Sequence, residues 1–245
     1  MFYVYHIWFL IPIIICGIIS AVASASVRSA FRKNDSVQCR SGLTGLDAAQ
    51  RLLRMNGVND VMIGRVGGFL SDHYNPKAGV VNLSESTYSN NSVAAVAVAA
   101  HEIGHVMQRK KGYIFYGVRA ALVPVVNFGT RLATPLVLIG ILLDVLSLSN
   151  NPDLGFTCAM IGVILYGGSL LFAFVTLPVE LNASKRAMEM LLESGVIGRD
   201  ETRAVKQVLS AAAFTYLASL LTSIVYFLRF LLQVLIIFGR RNNNR

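Results

Sequence analysis

Residues 154–187 read LGFTCAMIGVILYGGSLLFAFVTLPVELNASKRA. No Asp, Glu, Lys or Arg interrupts this stretch until Glu180, after which Lys185 and Arg186 follow within two turns. About 20 residues of helix cross the hydrocarbon core of a bilayer, so the run at 154–179 predicts a membrane span that ends beside a carboxylate. Three more runs behave alike: 2–27 carries no charge, 132–149 is apolar apart from Asp144, and 208–238 is broken only by Arg229 and Gln233. The composition agrees, with 54% apolar residues, a mean hydropathy of +0.57 and only 14% charged residues. Soluble domains carry about 25% charged residues. Disordered, collagen-like and disulfide-stapled classes are excluded by that balance.

The expectation is therefore a mainly α, polytopic membrane protein with about four transmembrane helices and a small α+β domain at one membrane face. Spans are placed at 5–27, 132–149, 154–179 and 207–238. In the last of these, 207–228 makes the crossing, and 230–238 either extends it or lies at the interface. The first run lacks a basic leader and exceeds the 7–15 residues of a signal-peptide core, so it is read as a retained anchor. The segment 28–119 carries twelve Lys/Arg and 180–206 carries five, whereas the N-terminus and the 150–153 connector carry none. The positive-inside bias puts both basic segments in the cytoplasm. The net charge of +9 is thus a topology signal, and no basic–aromatic platform points to nucleic acid. Cys16, Cys39 and Cys158 are scattered and form no disulfide or thiolate pattern. Asp144 and Arg229 are charges in lipid-like sequence and are expected to serve structure, as a mutual pair.

Within 28–119, Thr44-Gly-Leu-Asp47 reads as a helix start, and Asn56-Gly57 closes that helix. Strand-like pieces follow to Leu70. Asp72–Lys77 has turn chemistry, and Val80–Leu83 is a short strand predicted to form a hairpin with 65–70. The outer edge of that Val80–Leu83 strand could receive an extended peptide. Ser92 is the expected N-cap of a helix that ends near Lys111.

That helix carries AAHEIGHVMQ, residues 99–108. His101 and His105 are one turn apart, so both imidazoles leave one face and can grip a single metal, with Glu102 beside it as a general base for bound water. Imidazole and carboxylate ligands with an open position suit zinc, one ion per chain. Gly104 inside a helix is unfavourable by about 1 kcal/mol relative to Ala and suggests that another element passes close over the site. Glu180 is the third-ligand candidate. Ser184, one turn further, lies on the same face and could hydrogen-bond a ligand. His73 and Arg186 are candidates for contacting an oxyanion. His73 could equally cap its own turn, and Arg186 could contact water or lipid headgroups.

Taken together, HEIGH, a two-span insertion and Glu-x-x-Ala-Ser resemble the gluzincin membrane peptidases. In plan the chain is similar to HtpX and the CAAX prenyl peptidases, and its motifs match the YugP-type bacterial membrane zinc metallopeptidases more closely. Leu43-Thr-Gly45, Asp72-His73-Tyr74-Asn-Pro76, Leu83-Ser-Glu85, Leu122-Val-Pro124-Val-Val-Asn127 and Leu177-Pro-Val-Glu180 carry that resemblance beside the histidine motif. Ser184 departs from the Asp of the HtpX pattern. The resemblance implies zinc, hydrolysis of peptide or protein substrates (membrane proteins among them), a bacterial cytoplasmic membrane and, by analogy of plan, quality control. Two other readings stay open here. One is a site-2-type intramembrane protease, although Asn151-Pro-Asp153-Leu-Gly155 has the wrong order for its third-ligand motif. The other is a non-enzymatic scaffold with a structural metal site, for which His73 could be the fourth ligand.

Overall fold

The structure is a computed structural model that describes residues 2–146 and 153–242. The 147–152 connector, which holds Asn151, and the tail 243–245 lie outside the described residues. In chain order the elements are α1 (Phe2–Asp35), α2 (Gly45–Met55), β1 (Met62–Val66), β2 (His73–Asn75), β3 (Val80–Ser84), α3 (Glu85–Tyr88), α4 (Val93–Lys110), α5 (Ile114–Val145), α6 (Leu154–Glu193) and α7 (Thr202–Asn242). Four of these are long and apolar enough to cross a membrane, over Leu10–Asp35, Ile114–Asp144, Leu154–Glu193 and Thr202–Gly239. The chain is a mainly α polytopic membrane protein with one small sheet.

Two compact units divide it. One comprises 1–20, 118–176 and 217–245. In it α5 and α6 run antiparallel in close contact, because small residues face each other at the crossing. A Cβ on Gly140 would stand 2.5 Å from the Gly155 carbonyl oxygen. Without a hydrophobic driving force between helices in lipid, such close backbone approach is a main source of association. Val137, Ala159, Val163, Val234 and Phe238 fill the interior, and Phe156 meets Phe238 edge-on with ring centroids 5.6 Å apart. α7 passes Arg229 without a break. Arg229 Nε is buried without a hydrogen-bond partner.

The other unit comprises 21–117 and 177–216. Its helix ends follow local rules. Thr44 and Asp47 form a reciprocal capping box on α2; the Thr44 hydroxyl and then its N–H, both donating to the Asp47 carboxylate, hold that carboxyl below its usual range. Ser92 Oγ accepts from Ala95 N at 3.1 Å and starts α4. α2 packs on α4, with Leu52, Val81, Leu83, Val96, Ile103, Val106 and Leu191 buried between the helices and the sheet.

The sheet corrects the hairpin expectation. Its order is β1-β3-β2, with β1 parallel to β3 and β2 antiparallel to it. The residues read as a long turn contribute a strand at 73–75, and only 76–79 turn. Inserting β2 lets the chain approach β3 from the far side, so β1 and β3 pair without a direct connection. β3 is consequently central and has no free edge for a peptide; the free edges belong to β1 and β2.

α6 also runs on through Pro178. Pro178 withholds one backbone N–H from the ladder, yet the helix continues to Glu193, so the change at residue 180 is one of polarity along a single helix. Further along, Gly104 of α4 meets Ala183 of α6 so closely that a Cβ at 104 would stand 2.5 Å from the Ala183 carbonyl oxygen. That close approach is the reason for glycine in the middle of α4. Gly104→Ala should push the two helices apart, and overpacking of this kind is destabilising by about 1–3 kcal/mol. A thermal melt in detergent should show a lower midpoint for Gly104→Ala than for wild type.

Candidate metal centre

α4 supplies His101, Glu102, His105 and Gln108, and α6 supplies Glu180, Asn182, Ala183, Ser184 and Arg186. The Gly104–Ala183 approach sets these faces against each other. Glu180 Oε2 lies 3.1 Å from His101 Nε2 and 3.4 Å from His105 Nε2. The ligand atoms of the three side chains all fall within 4.8 Å of one another. The imidazoles stand edge to face, with centroids 4.8 Å apart at 87°, so both Nε2 atoms converge on Glu180.

Glu180 is only 1% exposed. A buried carboxylate is tolerated when it is paired or binds a metal. Two imidazoles and one carboxylate oxygen are the donor set of catalytic zinc sites that keep an open position, and the residues present fit that ion. Burial raises the Glu180 carboxyl, but the two imidazoles outweigh it and hold the group below the usual carboxylate range. For His105, burial pulls the imidazolium down, while Glu180 and then Glu102 outweigh it and leave its pKa raised.

Each histidine of the cluster is also held from behind. Ser184 Oγ lies 3.2 Å from His101 Nδ1. His105 Nδ1 lies 3.0 Å from Gln108 Oε1, so the N–H tautomer at Nδ1 donates to the amide oxygen and leaves Nε2 free to ligate. Gln108 is fully buried. Its Nε2 donates to the Val179 carbonyl at 2.6 Å and to Asn182 Oδ1 at 3.1 Å, and the same oxygen accepts from Arg186 Nε at 2.8 Å. Gln108 and Asn182 were not assigned a role from sequence. The available signal was position: Gln108 follows His105 by three residues, on the face that a helix shares with it. Glu102 is buried beside the cluster. His73 stands apart: its Nδ1 is 2.9 Å from the Ser71 carbonyl and its Nε2 is 3.1 Å from Asn82 Nδ2. Arg186 reaches the cluster through Asn182.

A family described as "Putative neutral zinc metallopeptidase" matches residues 8–235, and the chain belongs to that family. Among individual relatives, the chain is similar to the "Putative membrane protease YugP" of Bacillus subtilis (strain 168). The two are 40% identical over 222 residues, covering 91% of this chain and 93% of the relative. No solved structure matches the chain.

Removing the partner of a ligating histidine commonly lowers metal affinity by about 10–100-fold. Gln108→Leu, which keeps the volume and removes the hydrogen bonds, should weaken zinc binding in that range in competition with a chromogenic chelator.

Proposed function

We propose that the chain is a zinc metalloendopeptidase in which His101, His105 and Glu180 hold one Zn²⁺ and Glu102 is the general base. The observation that carries this reading is the convergence of the three donors from α4 and α6. Membership of the zinc metallopeptidase family supports it. Zinc at this position would polarise the scissile carbonyl and lower the pKa of a bound water toward about 7. Glu102 takes the proton of the attacking water and delivers it to the leaving amine. Ser184 and Gln108 hold the two imidazoles in the tautomer that presents Nε2 inward.

The site is assigned to the cytoplasmic face of a bacterial membrane, because the segments that build it carry the Lys/Arg excess. Peptides or membrane proteins presented at that face are its substrates, and quality control of membrane proteins is the role that the HtpX-like plan suggests. The intramembrane alternative is less well supported: Asp153 does not belong to the cluster formed by the described residues, and Glu180 does. A closed structural site would need a fourth protein ligand, and His73 has both ring nitrogens engaged elsewhere.

Elemental analysis of detergent-purified protein should find one zinc per chain, lost in Glu180→Ala. Full zinc affinity in that variant would place the third ligand elsewhere. In Glu102→Gln the zinc should stay while peptide hydrolysis falls by about 10²–10⁴-fold, the usual contribution of a general base. Wild-type rates in Glu102→Gln would remove Glu102 from that role.

A further inference from the structure

The loop between β1 and β2 has an unusual backbone. Gly68 has φ +103°, and Leu70 has φ +53°, the only positive φ at a non-glycine position among the described residues. A bulky residue keeps that conformation only where its surroundings impose it. Leu70 packs against the hydrophobic core of its unit, and its N–H donates to Ser86 Oγ at 3.4 Å. Ser71 Oγ donates to the Gly67 carbonyl at 2.8 Å and closes the loop. Turning Leu70 inward leaves Phe69 facing out. Phe69 is 48% exposed, and its ring meets Phe31 of α1 edge-on, with centroids 5.4 Å apart.

Phe31 fixes the height of this loop along α1. The charge-free run of α1 ends at Val27 and the first cation is Arg28. At 1.5 Å per residue, Phe31 lies about 6 Å beyond the end of the apolar run. The polar headgroup layer adds about 5–8 Å outside each face of the hydrocarbon core. Phe69, held against Phe31, is therefore at headgroup height. Arg28, Arg32 and Lys33 are exposed at the same level of α1 and flank a shallow groove floored by Ser24, Ala25 and Ser29. An exposed aromatic ring and exposed cations at one height are the composition that anionic membrane surfaces bind.

We propose that the 67–71 loop and this face of α1 form an anchor in the bilayer interface, with Phe69 inserted at the headgroup boundary and Arg28, Arg32 and Lys33 binding anionic phospholipid headgroups. The anchor draws the unit that carries His101, His105 and Glu180 down onto the lipid surface, where membrane-borne chains are presented. It rests on α1 crossing the bilayer and is independent of the hydrolytic reading.

Trp8 is the single tryptophan, so a Trp8→Phe, Phe69→Trp chain reports on position 69 alone. In vesicles holding the full-length protein, lipid brominated near the carbonyl end of its acyl chains should halve the emission roughly, as expected for a probe at interface depth. Lipid brominated near the chain end should quench less. A photoreactive phenylalanine analogue at position 69 keeps the side-chain shape if tryptophan disturbs the loop, and it should form lipid adducts. Emission unaffected by either lipid and fully quenched by aqueous acrylamide, or adducts with peptide substrate alone, would overturn the proposal. So would stronger quenching from the chain end.

The cations are tested by adding anionic phosphatidylglycerol to zwitterionic vesicles. Shallow-lipid quenching should rise, and Arg28→Gln, Arg32→Gln, Lys33→Gln together should abolish the rise. A rise that survives, or one reproduced by free inorganic phosphate, would overturn headgroup binding. Wild-type Trp8 emission is the control: lack of lipid quenching there would fail the membrane placement of α1 itself.

Discussion

The constraint on which the candidate site depends is the approach of α4 to α6 at Gly104 and Ala183. Side chains normally hold packed helices 8–10 Å apart, and a Glu side chain reaching from one helix to a metal on the other must span that gap. With no Cβ at 104, the α6 backbone comes down onto α4. Glu180, three residues before Ala183, is then brought within 3.4 Å of both imidazoles. Histidine spacing alone provides two candidate ligands on one helix face. The third depends on a residue that contributes no side chain at all.

Such a contact buries polar groups, and the structure accounts for those that surround the ligands. Gln108 cannot leave its amide unsatisfied at full burial without a penalty of about 1–3 kcal/mol per lost partner. Its oxygen accepts from His105, and its nitrogen donates to Asn182 and to the Val179 carbonyl. Through the Val179 carbonyl, directly after Pro178, a side chain of α4 bonds the α6 backbone. The bonds that orient His105 also fix the register of the two helices, so ligand geometry and helix packing are not separable.

Much of this was legible in the sequence because local rules govern it. The four long apolar runs, the Thr44 capping box, the Ser92 cap and the HExxH spacing each depend on residues within one turn of each other or on composition. The features that sequence reading missed depend on distant partners. The parallel β1–β3 pairing needs β2 to form from residues that look like a turn, and His73 and Tyr74 adopt strand geometry only because β3 offers them an edge. Gln108 reads as an ordinary polar residue near a helix end until Asn182 and Val179 arrive from another helix. Leu70 offers no sign of a left-handed backbone, since the core that draws it in is assembled by other segments. Glu180 lies between these cases: its place after an apolar run was visible, and its distance to the histidines was not.

Ser184 shows how a departure from a pattern can be reconciled with the chemistry. Where a carboxylate would hold His101 from behind, a hydroxyl does so here, and an amide holds His105. Glu180 and Glu102 are both buried already, and both carboxylates act on His105. A third carboxylate in the same low-dielectric space would repel both and carry its own desolvation cost. Neutral partners orient the rings through hydrogen bonds while adding no negative charge. A divalent ion at the site would then face one ligating carboxylate and one base, which preserves its pull on the carbonyl and on water. Ser184 and Gln108 thus orient the two imidazoles as a neutral pair.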